Sequence, residues 1–361
     1  MTPVHGGNIH AFARSRGLSP DQVLDFSASI NPLGWPRGVA KTYRQALARV
    51  AHYPEPYAET LTQALATYHD LDPRAVLVGN GSTQLLYVLA RVLASRRALI
   101  VAPSFSEHDA ALRHSNTRVS HLVLRPPAFA LSIKRLQETL AQGYDVLVLT
   151  NPNSPTGALL SQAELEQIIA ICRLTRTRLV MDETFVDWVE ESSLKQWAAR
   201  SAHVIVLRSL TKFFALPGLR VGYAIAQPRM VARLRAQLEP WSVNVVAQEV
   251  ACACLQEGAF IQRSRTFMAR ERAWLATQLA RIAGLRPFPA HANFLLVRIT
   301  TPGVSVAEVG RRLADARLLV RDCGNFVGLG KRFFRVAVRT RSENIRLVAA
   351  LSAMLGTRSG T

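Results

Sequence analysis

Lys212 leaves a short apolar run, residues 204–207, through Arg208-Ser209-Leu210-Thr211. The carboxyl ends of strands in an open parallel sheet are where ligands bind. A lysine there loses water, its pKa falls, and the neutral amine becomes a Schiff-base nucleophile. The other four lysines, Lys41, Lys134, Lys195 and Lys331, have no such context. From this window alone a solvated loop lysine is equally open.

Partners at useful spacings favour the chemical reading. Ser209 lies three residues before Lys212, and Arg220 eight after it. A hydroxyl and a guanidinium are the groups a phosphate monoester wants. Gly79-Asn80-Gly81-Ser82-Thr83 opens a helix directly after a strand. Backbone N–H groups at such a terminus form an anion site, although the same residues also serve as a plain helix cap. Asp182 ends another strand and could face a protonated pyridine nitrogen, which keeps a cofactor acting as an electron sink. A cap or loop acid is its alternative. Phe105, after Pro103-Ser104, could stack on a planar ring, or simply pack in the core.

The elements that must position these residues alternate. Apolar strands are expected at about 75–78, 98–102, 145–150, 178–181, 203–207 and 222–226, with helices at about 82–94 and 162–174 between them. This is the pattern of an α/β domain with a mostly parallel sheet covered on both faces. After Pro240 the texture changes. A long helical stretch, about 247–284, precedes strands near 293–297 and 332–338 and a helix near 306–316, which reads as a smaller α+β domain. The expected division is an arm over 1–35, a large domain over 36–240 and a small domain over 241–361.

Composition sets bounds. The net charge of +19 comes almost wholly from arginine. The arginines are spread along the chain without a long run or an aromatic-interleaved basic motif. They are read as background, with some reserved for anionic substrates, and no nucleic-acid partner is expected. No apolar run reaches the ~20 residues that span a bilayer, and the first residues lack the apolar stretch of a signal peptide. A cytoplasmic protein is expected. The four cysteines, Cys172, Cys252, Cys254 and Cys323, form no CxxC pair and no zinc-like cluster, so free thiols and no metal are expected.

NPNSPTG (151–157), MDETF (181–185), SLTKFFALPGLRVGY (209–223) and FFRVAVR (333–339) occur in the order and spacing of fold-type-I pyridoxal-phosphate enzymes of the class II aminotransferase branch. The resemblance covers nearly the whole chain. It implies an aspartate-aminotransferase-like fold, a pyridoxal 5'-phosphate cofactor, and a homodimer with sites at the subunit interface. It implies that Lys212 carries the cofactor, that Asp182 faces the pyridine nitrogen, and that Phe105 stacks on the ring. Ser82, Thr83, Ser209 and Arg220 are implied to hold the phosphate, joined by Tyr53 from the neighbouring subunit. Arg335 matches the arginine that takes a substrate α-carboxylate. Two positions depart from the wider family. Ser154 stands where an asparagine usually contacts the cofactor phenolate, and Phe185 where a tyrosine is common.

The amino-terminal pattern narrows the branch. His5-Gly6-Gly7-Asn8-Ile9, followed by Asp25-Phe26-Ser27-Ala28-Ser29-Ile30-Asn31-Pro32, resembles the threonine-phosphate decarboxylases of cobalamin biosynthesis. Histidinol-phosphate aminotransferases, the close relatives, usually lack that opening. The resemblance implies a phosphorylated amino-acid substrate, with His5, Gly6, Asn31, Ser154, Arg321, Lys331 and Arg335 around it. Three cations, Arg321, Lys331 and Arg335, would then meet at one end of the pocket. The alternative is a histidinol-phosphate or other amino-acid aminotransferase.

Overall fold

Strands buried on both faces need apolar side chains at nearly every position. The computed structural model, which describes residues 6–356, builds its main sheet from such runs. In chain order the strands are β1 (Leu24–Asp25), β2 (Val76–Gly79), β3 (Arg97–Ala102), β4 (Arg118–Val123), β5 (Val146–Thr150), β6 (Arg178–Asp182), β7 (Val204–Ser209) and β8 (Gly222–Ile225). The later strands are β9 (Leu285–Pro287), β10 (Phe294–Ile299), β11 (Leu318–Leu319), β12 (Arg321–Asp322) and β13 (Phe333–Ala337).

Seven strands form the large sheet in the order β2-β8-β7-β6-β5-β3-β4. Only β8 runs against its neighbours, and the others are parallel. The expected mostly parallel sheet is therefore present. Six of its strands were readable from apolar runs. The seventh, β4, has the sequence RVSHLV and lies at the sheet's edge, mostly half-exposed. A polar edge strand carries no continuous apolar signal, which is why sequence reading passed over it.

The second sheet is antiparallel, in the order β12-β13-β10-β9. The expected single helical stretch before it is two helices, Val245–Leu255 and Gly258–Ala280. The break falls at Gln256-Glu257, where the first helix is capped and Gly258 starts the second. In the arm, β1 pairs in parallel with β11, so this segment is stitched to the carboxyl-terminal part of the chain. Helices cover the large sheet on both sides: Leu85 and Leu89 pack with Leu77 on one face, and Leu165, Ile168 and Ile169 with Leu147 and Leu179 on the other.

Candidate active site

The parallel strands β3, β5, β6 and β7 end on the same edge of the sheet, and the chain leaves each of them into one cavity. The turn after β3 delivers Phe105 and His108, the loop after β5 delivers Ser154, β6 ends in Asp182, and β7 ends in Ser209 before Lys212. The Gly81–Leu93 helix, starting just after β2, adds Ser82 and Thr83 from its first turn. Gly6 and residues 27–29 close the cavity from the arm, and Arg321 and Arg335 close it from the antiparallel sheet.

Lys212 sits on a single helical turn, Leu210–Phe213, capped by Ser209, whose hydroxyl accepts from the Thr211 amide. Its carbonyl accepts from the Asn31 amide at 3.0 Å. Burial, helped by the charges of Arg335 and Arg220, pushes the lysine pKa down to about 8. The amine is thus poised as a nucleophile close to physiological pH.

Asp182 is buried, which alone would raise its pKa. Its Oδ2 accepts from His108 Nε2 at 3.0 Å, and its Oδ1 accepts from the Thr184 amide and hydroxyl at 2.9 and 2.6 Å. These bonds outweigh burial and hold the carboxyl below its ordinary value. His108 is fixed in turn by Ser104, whose Oγ lies 2.9 Å from Nδ1. Sequence reading missed His108. The available signal was its place one helical turn after Phe105 on the Ser106–His114 helix.

Two glycines shape the anion end. Gly81 adopts φ +74, and a Cβ there would meet Arg220 Nη2 at 2.7 Å. At Gly222 a Cβ would lie 2.4 Å from the Ser82 amide nitrogen. Both glycines therefore let the helix terminus, Ser82, Ser209 and Arg220 converge, and this combination of N–H groups, hydroxyls and one guanidinium suits a phosphate. The site also offers a hidden amine and an ionised carboxylate, with Phe105 on its wall, so these residues fit pyridoxal phosphate.

The opposite wall is cationic. Arg335 donates through Nη1 to Ser154 Oγ at 2.9 Å and through Nη2 to Ser27 O at 3.3 Å, and stands 4.8 Å over the Phe294 ring. Burial pushes its pKa down to about 10. Arg321 donates to Asp322 O and Asn325 Oδ1 and stacks over Phe326 at 5.1 Å. Two guanidinium groups on one wall can take two anionic groups of a single substrate.

Some expected residues lie elsewhere. Lys331 is exposed and does not line the cavity, so two cations meet there rather than three. The turn into β13 leaves its side chain at the surface while β13 itself carries Arg335 inward. Asn31 is buried but also off the cavity. Its Nδ2 donates to Phe213 O at 2.8 Å and Ser264 Oγ at 3.0 Å, which commits the amide to bracing the segment behind Lys212. Two residues earlier, Ser29 does line the cavity, with a buried hydroxyl that has no partner among the described residues. Tyr53 is 84% exposed and packs on Trp241, 5.2 Å between ring centroids, away from this chain's cavity. His5 lies outside the described residues.

Among the described residues no three His, Cys, Asp or Glu side chains are grouped to hold a metal, and no helix is long and apolar enough to cross a membrane. All four cysteines are free thiols.

Residues 21–351 match the family described as aminotransferase class I and II. The chain is 38% identical to the threonine-phosphate decarboxylase of Salmonella typhimurium over 353 residues, 97% of this chain and 96% of that protein. The solved L-threonine-O-3-phosphate decarboxylase from Porphyromonas gingivalis superposes with a TM-score of 0.80 at 28% identity, covering 91% of this chain and 98% of that one. The histidinol-phosphate aminotransferase from Clostridium acetobutylicum superposes with a TM-score of 0.86 at 25% identity, covering 92% and 99%. Backbone shape therefore does not separate the two activities, whereas the 38% relative carries the decarboxylase name.

Proposed function

The chain belongs to the aminotransferase class I and II family, and we propose that it uses pyridoxal phosphate to decarboxylate L-threonine O-3-phosphate, giving (R)-1-amino-2-propanol phosphate and carbon dioxide, as a step of cobalamin biosynthesis. The observation that carries this reading is the pairing of Arg321 and Arg335 on one wall of the Lys212 cavity. A substrate with both an α-carboxylate and a phosphate needs two anion clamps besides the cofactor's own. The 38% identity to the Salmonella enzyme over nearly the full length of both chains supports the same substrate.

When bound, the cofactor supplies an electron sink for the bond that breaks at the substrate's Cα. This chain's residues do the rest. Ser82, Thr83, Ser209, Arg220 and the helix terminus at Gly81 hold the cofactor phosphate. Phe105 covers the ring. Asp182, kept ionised by His108 and Thr184, holds the proton on the pyridine nitrogen. Ser154 adds a hydroxyl on the phenolate side. Arg335 takes the α-carboxylate, with Ser154 steadying the guanidinium, and Arg321 takes the substrate phosphate beside Gly6. Lys212 would hold the cofactor until substrate arrives, and its ammonium form would then act as the acid that returns a proton to Cα in place of the carbon dioxide lost. The arginine wall would select the reaction by where it holds the substrate carboxylate relative to the electron sink that the cofactor would supply.

The working enzyme is proposed to be a cytoplasmic homodimer. Support comes from Tyr53, which projects from this chain instead of entering its own cavity and is free to reach the phosphate end of the partner's site. The second reading, a histidinol-phosphate aminotransferase, is favoured by the fold likeness at a TM-score of 0.86 and by full-length relatives of that name at lower identity, 29%. Incubation with O-phosphothreonine, with and without 2-oxoglutarate, separates them. The decarboxylase releases carbon dioxide without an acceptor, whereas the aminotransferase needs one.

A further inference from the structure

Arg208 is the largest fully buried side chain among the described residues, and nothing in the proposed reaction uses it. It stands on β7 one residue before Ser209, so its side chain leaves the sheet on the face opposite the cavity. A lone buried guanidinium costs several kcal/mol, and the arrangement persists only where partners compensate it. Its partners come from the 3-10 turns that follow β6, Val186–Trp188 and Glu190–Ser192. Nη2 lies 3.0 Å from Asp187 Oδ1 and 2.5 Å from Glu190 Oε2, and Nη1 lies 2.9 Å from Glu190 Oε1.

The cluster continues outward. Lys195 Nζ donates to Glu190 Oε1 at 2.6 Å. Arg265, on the Gly258–Ala280 helix, donates to the Asp187 carbonyl at 2.8 Å. Arg208 pairs in register with Tyr223 on β8, and the Tyr223 hydroxyl meets His69 Nε2 at 2.7 Å. Beside Asp187, Trp188 packs on Phe213 with ring centroids 4.6 Å apart, and Phe213 is the residue after Lys212. The other branch is Glu183, the residue after Asp182. Its carboxylate accepts from the Ser193 hydroxyl and the Leu194 amide, both at 2.6 Å, pinning the far end of the same segment.

Two segments leave neighbouring strands here. One follows Asp182 and the other carries Lys212, and behind the sheet they are joined by the ion pairs of Arg208 as well as by the Trp188–Phe213 contact. We propose that Arg208 is a positioning residue whose forked contacts to Asp187 and Glu190 set the placement of Lys212 relative to Asp182, and hence the seat of the cofactor. The inference rests on Lys212 and Asp182 holding pyridoxal phosphate, and not on which substrate is turned over. A fork matters because a guanidinium can hold two carboxylates in a fixed plane, whereas an ammonium is a point charge.

The test uses Arg208→Lys, which keeps the buried charge and loses the fork, and the double variant Arg208→Met/Glu190→Met, which removes the charge pair together. Circular dichroism and thermal melting report the fold. Equilibrium dialysis of the cofactor-free protein against pyridoxal phosphate reports its Kd, and the pH midpoint of the visible absorbance of the loaded protein reports the surroundings of Lys212. Both variants are expected to fold, to lose cofactor affinity by about tenfold or more because the seat is no longer preorganised, and to move the absorbance midpoint. Folded variants with the wild-type Kd and midpoint would overturn the proposal while leaving the cofactor reading intact. Loss of the fold in both variants would make Arg208 a folding residue and overturn it as well. A wild-type protein that takes up no cofactor would sink the cofactor reading first, and this inference with it.

Discussion

At the scale of single residues the account turns on two protonation states and one anion clamp. Lys212 is pushed to about 8 by burial with help from Arg335 and Arg220. The neutral amine is the nucleophile, so capture of pyridoxal phosphate by the cofactor-free protein is expected to accelerate with pH and reach half its plateau near pH 8. A stopped-flow midpoint at the ordinary lysine value of 10.5 would contradict the burial argument. Asp182 is held below its ordinary value against the opposing effect of burial, by His108 first and Thr184 second. In His108→Leu that donor is gone and the carboxyl rises. Hydrogen bonds to charged groups contribute roughly 1.5–3 kcal/mol, so cofactor affinity is expected to fall about 10- to 100-fold by dialysis. Arg335→Met should act differently. The cofactor contacts remain, but an anion loses its clamp, which costs kcat/KM for O-phosphothreonine roughly 2–5 kcal/mol. A kinetic profile in which only cofactor binding suffers would remove Arg335 from the substrate.

At the scale of elements the site is a set of strand ends, and much of that was readable in advance. Lys212, Asp182, Ser209, Ser82 and Thr83 sit at or just after apolar runs, where the alternation of strand and helix already placed a ligand edge, and the cavity contains them all. Arg321 and Arg335 were legible only through motif likeness, because an arginine on a short strand of an antiparallel sheet has no distinctive local pattern. Asn31 and Lys331 carried the same kind of signal and went elsewhere. The Asn31 amide is claimed by Phe213 and Ser264, contacts that span 182 and 233 residues and leave no trace in local sequence. His108 was missed because its main partner, Asp182, lies 74 residues away at the end of another strand, and Ser29 because nothing in its local sequence shows that it faces the cavity. The convergence of elements at the phosphate end has its own test. In Gly222→Ala the new methyl would press on the Ser82 amide, 2.4 Å away. Overpacking of this kind costs roughly 1–3 kcal/mol. Urea unfolding is expected to shift by that amount, and cofactor affinity should fall in parallel. A stable variant with full affinity would mean that β8 and the helix terminus are not held as tightly as described.

At the scale of the whole molecule the parallel sheet, the antiparallel sheet and the arm each supply part of one cavity, and the arm reaches it because β1 is paired to β11. The surface carries a second message. Tyr53 and Trp241, 84% and 49% exposed, form an aromatic pair that the isolated chain leaves in water. A dimer that buries this pair is expected in sedimentation velocity, and Tyr53→Ala is expected to weaken cofactor binding from across the interface. A monomer with full cofactor affinity would count against that arrangement. The net charge of +19 is spread along the sequence and is not assigned to a partner.

The central claim is that the two-arginine wall directs cleavage at the carboxylate. Cofactor-loaded protein should be incubated with O-phosphothreonine, without any keto-acid acceptor, while carbon dioxide and aminopropanol phosphate are followed together. Equal release of both over many turnovers is the predicted result. No release, with pyridoxamine phosphate accumulating when histidinol phosphate is supplied instead, would contradict it and identify a transaminase.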